Sequence, residues 1–282
     1  MKSNIKAGNE ANTLETDVID VGAGFGGCYS LHKIREPGFF AKILGRRDDF
    51  GGVWHFKRYP RARVDFDTPA YHFSLPRVWA DFHFTKMFPG YEEIRKYSYH
   101  VVTTLGVRED TIFNARVDEV KYDPENRRGR FRTAKGLFLA SNFGVRKTLS
   151  CMTDCKNMDI VPPLKQFKWF GLAYVNLEKT PIDAFDEQGI LTGSLEAATH
   201  HDLDAVIMAA GYDCVTISLL DMNIHDKNGN PLSDLCKSGI RTYFGDMIPN
   251  MPNAFMLYGS QGPTPQTNAS PFIELQVDWA VS

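Results

Sequence analysis

The stretch Asp17-Val18-Ile19-Asp20-Val21-Gly22-Ala23-Gly24-Phe25-Gly26-Gly27-Cys28 decides the fold class. Asp17 to Val21 reads as a short strand, and the glycines follow it at once. A helical stretch then runs through Cys28, Leu31 and Ile34 to a stop at Pro37-Gly38, and Phe40 to Leu44 reads as the next strand. Gly22, Gly24 and Gly27 form G-x-G-x-x-G between a strand and a helix, the setting that a dinucleotide-binding turn requires. In that turn Gly22 permits the tight bend, Gly24 lets backbone approach a pyrophosphate, and Gly27 lets the helix pack on the strand. The anion then sits at the helix N-terminus, where unpaired N–H groups and the helix dipole favour negative charge.

Outward from this motif, Ala80 to Val102 contains an amphipathic helix beginning at Tyr91. Thr111 to Tyr122 and Gly129 to Phe138 read as alternating strands about the turn Asp123-Pro124-Glu125-Asn126. Asn176 to Asp183 and Ala205 to Ala210 read as strands, the second ending at Gly211. Residues 226–230 form a turn, and Ile273 to Trp279 has helical spacing. The class is α/β: a single Rossmann-like domain with a parallel sheet and a small antiparallel β element. Residues 1–16 are expected to be a polar, disordered leader and 17–282 the nucleotide-binding domain.

The 282 residues are 43% apolar, enough to bury a substantial core. With 32 basic and 34 acidic residues the net charge is −2, which gives no electrostatic reason to bind nucleic acid. Five cysteines, Cys28, Cys151, Cys155, Cys214 and Cys236, are unsuited to a disulfide framework or a zinc site. Neither a signal-peptide core nor a membrane-spanning run is evident, so the expectation is a cytoplasmic protein with a small-molecule substrate, no nucleic-acid or membrane partner, and a homodimer left open. H-E-x-x-H, G-x-S-x-G and G-x-x-x-x-G-K-[ST] are all missing, which removes three common hydrolase and nucleotidase classes.

One position departs from the dinucleotide pattern. An acidic residue is expected at the end of the second strand, where it accepts from the ribose hydroxyls. Gly45 occupies that place, followed by Arg46-Arg47. The arginines suit a 2'-phosphate or the adenosine phosphates, or they are solvated turn residues before Asp48-Asp49.

A family resemblance accumulates along the chain. It begins at Asp17 to Gly27 and extends through Phe50-Gly51-Gly52-Val53-Trp54 and Arg58-Tyr59-Pro60-Arg61-Ala62-Arg63-Val64-Asp65. It resumes at Thr180-Pro181-Ile182, at Leu203 to Asp213 with Ala209-Ala210-Gly211-Tyr212-Asp213, and from Pro252 to Trp279. These segments resemble the FAD-binding half of the Baeyer-Villiger monooxygenases, flavoproteins that insert oxygen beside a ketone. The resemblance implies FAD as cofactor, held by Gly22, Gly24, Phe25, Gly26, Gly27, Arg46, Gly52, Val53, Trp54, Asp65 and Gly211. Trp54 and Tyr71 match a flavin-proximal stretch and are either pocket wall or plain core aromatics. Arg61 stands where the family usually has glycine, and Asp65 matches an aspartate that orients an arginine absent from this chain. Asp65, Arg61 and Tyr71 are therefore the catalytic candidates.

The family also carries a second Rossmann-type domain, for NADPH, between the strands corresponding to 138–140 and 174–177. Here residues 141–173 are too few for such a domain, and no second G-x-G-x-x-G occurs, so the NADPH domain is expected to be deleted around 145–170. The fingerprint F-x-G-x-x-x-H-x-x-x-W is also missing after Phe143-Gly144. Hydride transfer needs a nicotinamide held against the flavin. The expectation is thus a flavin-binding enzyme acting on a ketone or enone, in a biosynthetic pathway, by a redox-neutral cyclisation, isomerisation or dehydration. The alternatives are oxygenation with reduced flavin supplied from outside, and a non-catalytic flavin- or partner-binding remnant.

Overall fold

The computed structural model describes residues 13–68, 70–146, 182–193, 198–203, 217–237, 239–262 and 268–282, with the side chains of 142–146, 217 and 218 set aside. Two units separate by their contacts: 1–157 with 213–282, and 158–212.

The first unit is organised around β1 (Thr13–Val21), α1 (Phe25–Arg35) and β2 (Ala41–Leu44), the order expected from the glycine motif. β1 pairs in parallel with β2, placing Val18 opposite Ala41 and Val21 opposite Leu44. Beyond β2 lies β3 (Thr111–Ile112), also parallel. On the other side of β1 runs the long β6 (Gly136–Arg146), again parallel, and β11 (Ala254–Leu257) pairs with the far half of β6. The near half of β6 instead takes β5 (Arg128–Thr133) as an antiparallel neighbour; β4 (Val117–Asp123) continues that meander, and β10 (Ile224–His225) closes it. The eight-stranded sheet is therefore mixed, with its parallel part around β1.

Side chains alternate across β1, so Val18 joins one core and Ile19 the other. The first core lies under α1, α4 (Tyr91–Leu105) and α7 (Ala269–Val281), numbered after two short helices, α2 (Val53–Phe56) and α3 (Pro76–Trp79). α4 buries Ile94, Tyr97, Ser98, Val101, Val102 and Leu105, a helical stripe, and stops at Gly106, whose φ of 60° is the left-handed cap that glycine adopts without strain. α7 starts at Asn268, whose side chain accepts from the Ser270 N–H at 3.4 Å.

Several expectations need correction. β1 begins at Thr13, so residues 13–16 are not part of a disordered leader: their backbone pairs with Leu137–Ala140, a ladder that polar side chains do not prevent. The stretch from 111 to 122 is two strands, not one. Asn114 turns the chain at φ 52°, sending β3 to one edge of the sheet and β4 towards the other. Residues 129–138 also divide, at a tight turn where the Thr133 hydroxyl accepts from the Lys135 N–H (3.0 Å) and donates to the Gly136 carbonyl (3.1 Å). The turn at 226–230 is as expected: Asp226 Oδ1 accepts the N–H groups of Asn228 and Asn230 at 2.8 and 2.9 Å.

Of the second unit, the described residues form a three-stranded antiparallel sheet, β7 (Ile182–Phe185), β8 (Gly189–Thr192) and β9 (Thr199–Asp202). The strand expected at 205–210 lies outside the described residues.

Candidate functional site

The carboxyl ends of β1, β2 and β11 converge on one cleft, where open parallel sheets place their ligands. β1 delivers Gly22 to Gly26, β2 delivers Arg46 and Arg47, and β11 delivers Leu257 and Tyr258. The segment Gly51 to Phe56 forms a further wall.

At the β1 end the backbone is shaped for close approach. Gly22 has φ 124°, outside the usual range of residues with a side chain. A Cβ on Gly24 would make ordinary contact with the Gly52 Cα at 3.4 Å, whereas one on Gly52 would stand only 3.0 Å from the Gly24 Cα, so the two glycine backbones face one another closely. A Cβ on Gly27 would collide with the Gly22 carbonyl oxygen, which is how α1 seats so tightly on the turn. Gly27 is thus a packing glycine and does not line the cleft. α1 presents its N-terminus here with no side-chain cap, leaving the first N–H groups for a ligand.

The adjoining wall is aromatic. Trp54 is 1% exposed, and its Nε1–H donates to the Tyr71 hydroxyl at 2.9 Å. The Phe25 ring meets Tyr71 edge-on with centroids 6.1 Å apart. Burial raises the Tyr71 pKa; the Trp54 N–H counters it in part, and the Asp65 charge adds to the rise. Tyr71 therefore keeps its proton throughout the physiological range and acts as a donor rather than a base. Tyr258 behaves alike, pushed up to about 12 by burial and then by Asp65.

α7 holds both tyrosines in place through its buried polar face. The Ser270 hydroxyl donates to the Tyr71 carbonyl at 3.1 Å, and Gln276 Oε1 accepts the Tyr258 N–H at 2.6 Å. Glu274 Oε1 accepts the Ser74 N–H at 2.7 Å.

The ribose end differs. Gly45 is buried, and a Cβ there would stand 3.2 Å from Ala23 Cβ and 3.3 Å from the Phe113 ring. Arg46 and Arg47 are exposed, and the Arg47 guanidinium lies 4.8 Å from the centre of the Phe56 ring. Asp49 also lines the cleft. Its burial is outweighed by the Tyr99 hydroxyl at 2.5 Å, the Phe50 N–H and the Arg108 charge, so its carboxyl stays below the usual range.

Of the sequence-derived candidates, Gly22, Gly24, Phe25, Gly26, Arg46, Gly52, Val53, Trp54 and Tyr71 come together in the cleft. Arg61 does not. It is exposed, at φ 68°, and is missing from the lining; its backbone adopts the left-handed form that suits the glycine expected there. Asp65 is not in the lining either, although its charge reaches Tyr71 and Tyr258. Gly211 lies outside the described residues. Sequence reasoning missed Tyr258 and Asp49. The signal for Tyr258 was available, since it follows an apolar run, Phe255-Met256-Leu257, that ends at the carboxyl edge of the sheet.

The sequence profile of the NAD(P)-binding Rossmann-like domain matches residues 21–84, which contain most of this lining. The chain is 37% identical over 125 residues to the FAD-binding monooxygenase acrE of Aspergillus aculeatus and 32% identical over 141 residues to cyclopentanone 1,2-monooxygenase of Comamonas sp.. The chain is similar to the Baeyer-Villiger monooxygenases. The matched stretches amount to 44% and 48% of this chain but only 21% and 26% of those two relatives. The structure of cyclohexanone monooxygenase from Rhodococcus sp. Phi1 bound to NADP+ superposes with a TM-score of 0.77 at 17% identity, over 96% of this chain and 84% of that one, and so shares its fold.

Proposed function

We propose that this chain binds FAD in the cleft at the ends of β1, β2 and β11 and is an enzyme of flavoprotein-monooxygenase descent. The observation that carries the reading is the facing pair Gly24 and Gly52 beside the uncapped N-terminus of α1, a cradle that a Cβ would fill. The cradle fits a pyrophosphate, and the Trp54, Tyr71 and Phe25 wall fits a flat aromatic ring. When bound, a flavin supplies an electron-accepting ring and a route to oxygen chemistry.

The chain's own residues would do the rest. N–H groups of the glycine turn receive the pyrophosphate, and the aromatic wall excludes water from the ring. Tyr71 offers an O–H at the wall whose direction is set by the Trp54 N–H. A substrate ketone or enone accepting from such a donor is polarised, and the proton stays at the Tyr71 oxygen unless a stronger base arises on the substrate.

The finer reading is a redox-neutral cyclisation, isomerisation or dehydration that needs no NADPH. It is supported by the single G-x-G-x-x-G in the sequence and by the cleft lining, where no arginine from 58 to 63 takes part. Purified protein is expected to carry the visible flavin band. Mixed anaerobically with excess NADPH, that band is expected to persist while an enone is converted. Rapid bleaching would return the chain to ordinary monooxygenase chemistry; a colourless protein that takes up no added FAD would overturn the cofactor itself.

A further inference from the structure

Tyr71 reaches the cleft on a segment that belongs to no strand or helix, residues 70–74. Among the described residues, no backbone–backbone hydrogen bond holds this segment. Its polar backbone groups turn instead to side chains of two helices. The Asn268 amide donates to the Ala70 carbonyl, and the Ser270 hydroxyl to the Tyr71 carbonyl at 3.1 Å. The Phe73 N–H donates to the Tyr97 hydroxyl of α4 at 2.7 Å, and the Ser74 N–H to Glu274 Oε1, also at 2.7 Å. Ser270 and Glu274 stand one turn apart on α7, so together with the cap residue Asn268 one helix grips the segment before and after Tyr71.

Of these partners Glu274 is the one that works against its surroundings. It is 6% exposed; burial raises its pKa, the Ser74 hydroxyl and N–H oppose the rise, and the Asp278 charge adds to it. A neutral acceptor would satisfy one N–H without taking a carboxylate out of water. What the carboxylate adds is a shorter and stronger bond with a fixed direction. The side chains of the segment alternate between two tasks. Tyr71 and Phe73 pack on Phe25 with centroids 6.1 and 6.0 Å away, while His72 stacks on Tyr97 at 5.1 Å. Slack at Ser74 passes along three residues to Tyr71, whose hydroxyl meets the Trp54 Nε1–H at 2.9 Å. We propose that Glu274 is a positioning residue for the Tyr71 hydroxyl: by holding the Ser74 N–H it keeps that hydroxyl on the Trp54 N–H, with its own proton left for a substrate oxygen in the cleft. The proposal rests on the reading of the cleft as a flavin site, which gives the Tyr71 proton its use, and adds to it the residue that sets the proton's direction.

The test reads the Trp54 indole N–H resonance in proton–nitrogen correlation spectra of the isotope-labelled full chain, assigned by its loss in Trp54→Phe. Tyr71→Phe, which removes the acceptor of that N–H, fixes how far the resonance moves when the contact is gone. Glu274→Met should move it most of that distance. Glu274→Gln keeps an acceptor oxygen and should move it less than about half as far as Glu274→Met, since a neutral hydrogen bond retains roughly half the strength of a charged one. Should Glu274→Met fail to fold, Glu274→Ala is read in the same way, because it leaves a gap rather than a misfit. A resonance that stays at the parent position while Tm falls would make Glu274 a support of the fold alone and would overturn the proposal. So would equal displacement in Glu274→Gln and Glu274→Met, since the acceptor oxygen would then not matter. The visible flavin band of the same samples separates the two levels. A folded parent that takes up no FAD overturns the cofactor reading and with it the use of Tyr71; a parent that holds FAD, with an unmoved Trp54 resonance in Glu274→Met, brings down the positioning role alone.

Discussion

For the nucleotide proposed above, the two ends of the cleft offer different means of holding it. At the pyrophosphate end the absence of side chains is the device: Gly22, Gly24 and Gly52 bring backbone N–H groups close to where an anion would lie. At the ribose end the device is charge on long side chains, Arg46 and Arg47, standing in water over a glycine that offers no acceptor. Shape leaves little room for added side-chain volume and is insensitive to salt, whereas rim charge tolerates substitution and is screened within a Debye length of about 8 to 10 Å. The contrast ranks what substitutions do at each place.

Gly24→Val breaks the first device and carries the largest expected effect. Its branched side chain would occupy the space in front of Gly52, so FAD or ADP affinity should fall by at least about a thousandfold, near 4 kcal/mol, with Tm almost unchanged. Equilibrium dialysis against FAD checks this, and retained affinity would mean that shape does not decide at this end.

Charge at the rim stays in water; Asp246 shows what taking charge out of it costs. It is 1% exposed, neither carboxylate oxygen has a hydrogen-bond partner among the described residues, and burial pushes its pKa up to about 7. Because the folded value lies above the unfolded one, the folded state holds the proton more tightly. This group's contribution is therefore most favourable below about pH 4 and is lost as pH rises towards 7, then stays level. The span is about 4 kcal/mol at roughly 1.4 kcal/mol per unit of pKa. Urea unfolding of Asp246→Asn between pH 4 and 8 should lack that decline, and a parallel slope in the variant and the parent would refute the assignment.

Gly45→Glu sharpens the contrast from the other side. From sequence alone, an added acid would be expected to strengthen ribose binding. The structure reverses that expectation: a Cβ at 45 presses on Ala23 of the glycine turn and on the Phe113 ring, so the variant should lose about 1 to 3 kcal/mol of stability and gain no affinity. Thermal unfolding and FAD titration of the same sample separate the two outcomes. Arg61→Gly has the smallest effect. Relieving a left-handed residue that has no part in the lining should raise stability by about 1 kcal/mol and leave FAD affinity as it was. A loss of affinity instead would return Arg61 to the site.

Much of the site was legible because its elements are local. Strand, glycine turn and helix occupy one short run, and the residues that cradle an anion are neighbours in sequence, so Gly22 to Gly26 needed no tertiary information. The Gly51 to Trp54 wall was found through resemblance rather than through spacing. Tyr258 escaped although the apolar run before it marks a strand end, because that strand reaches the cleft only through its pairing with β6; Asp49 escaped because no pattern around it marks a lining residue.

What the sequence by itself determined, then, is the βαβ unit and the place of its glycine turn, because hydrophobic period and glycine conformational freedom act over a few residues. Long-range packing decided the rest. Register between β1 and β6 drew Thr13–Thr16 into the sheet, the left-handed turn at Asn114 split one apolar run between two parts of the sheet, and Arg61 was left exposed and outside the cleft lining. The same packing sets the meaning of Gly45. A missing acid at the end of a strand reads as a lost contact, but Ala23 and Phe113 close over the position, and the volume left there, fixed by three separate segments, admits no side chain without displacement.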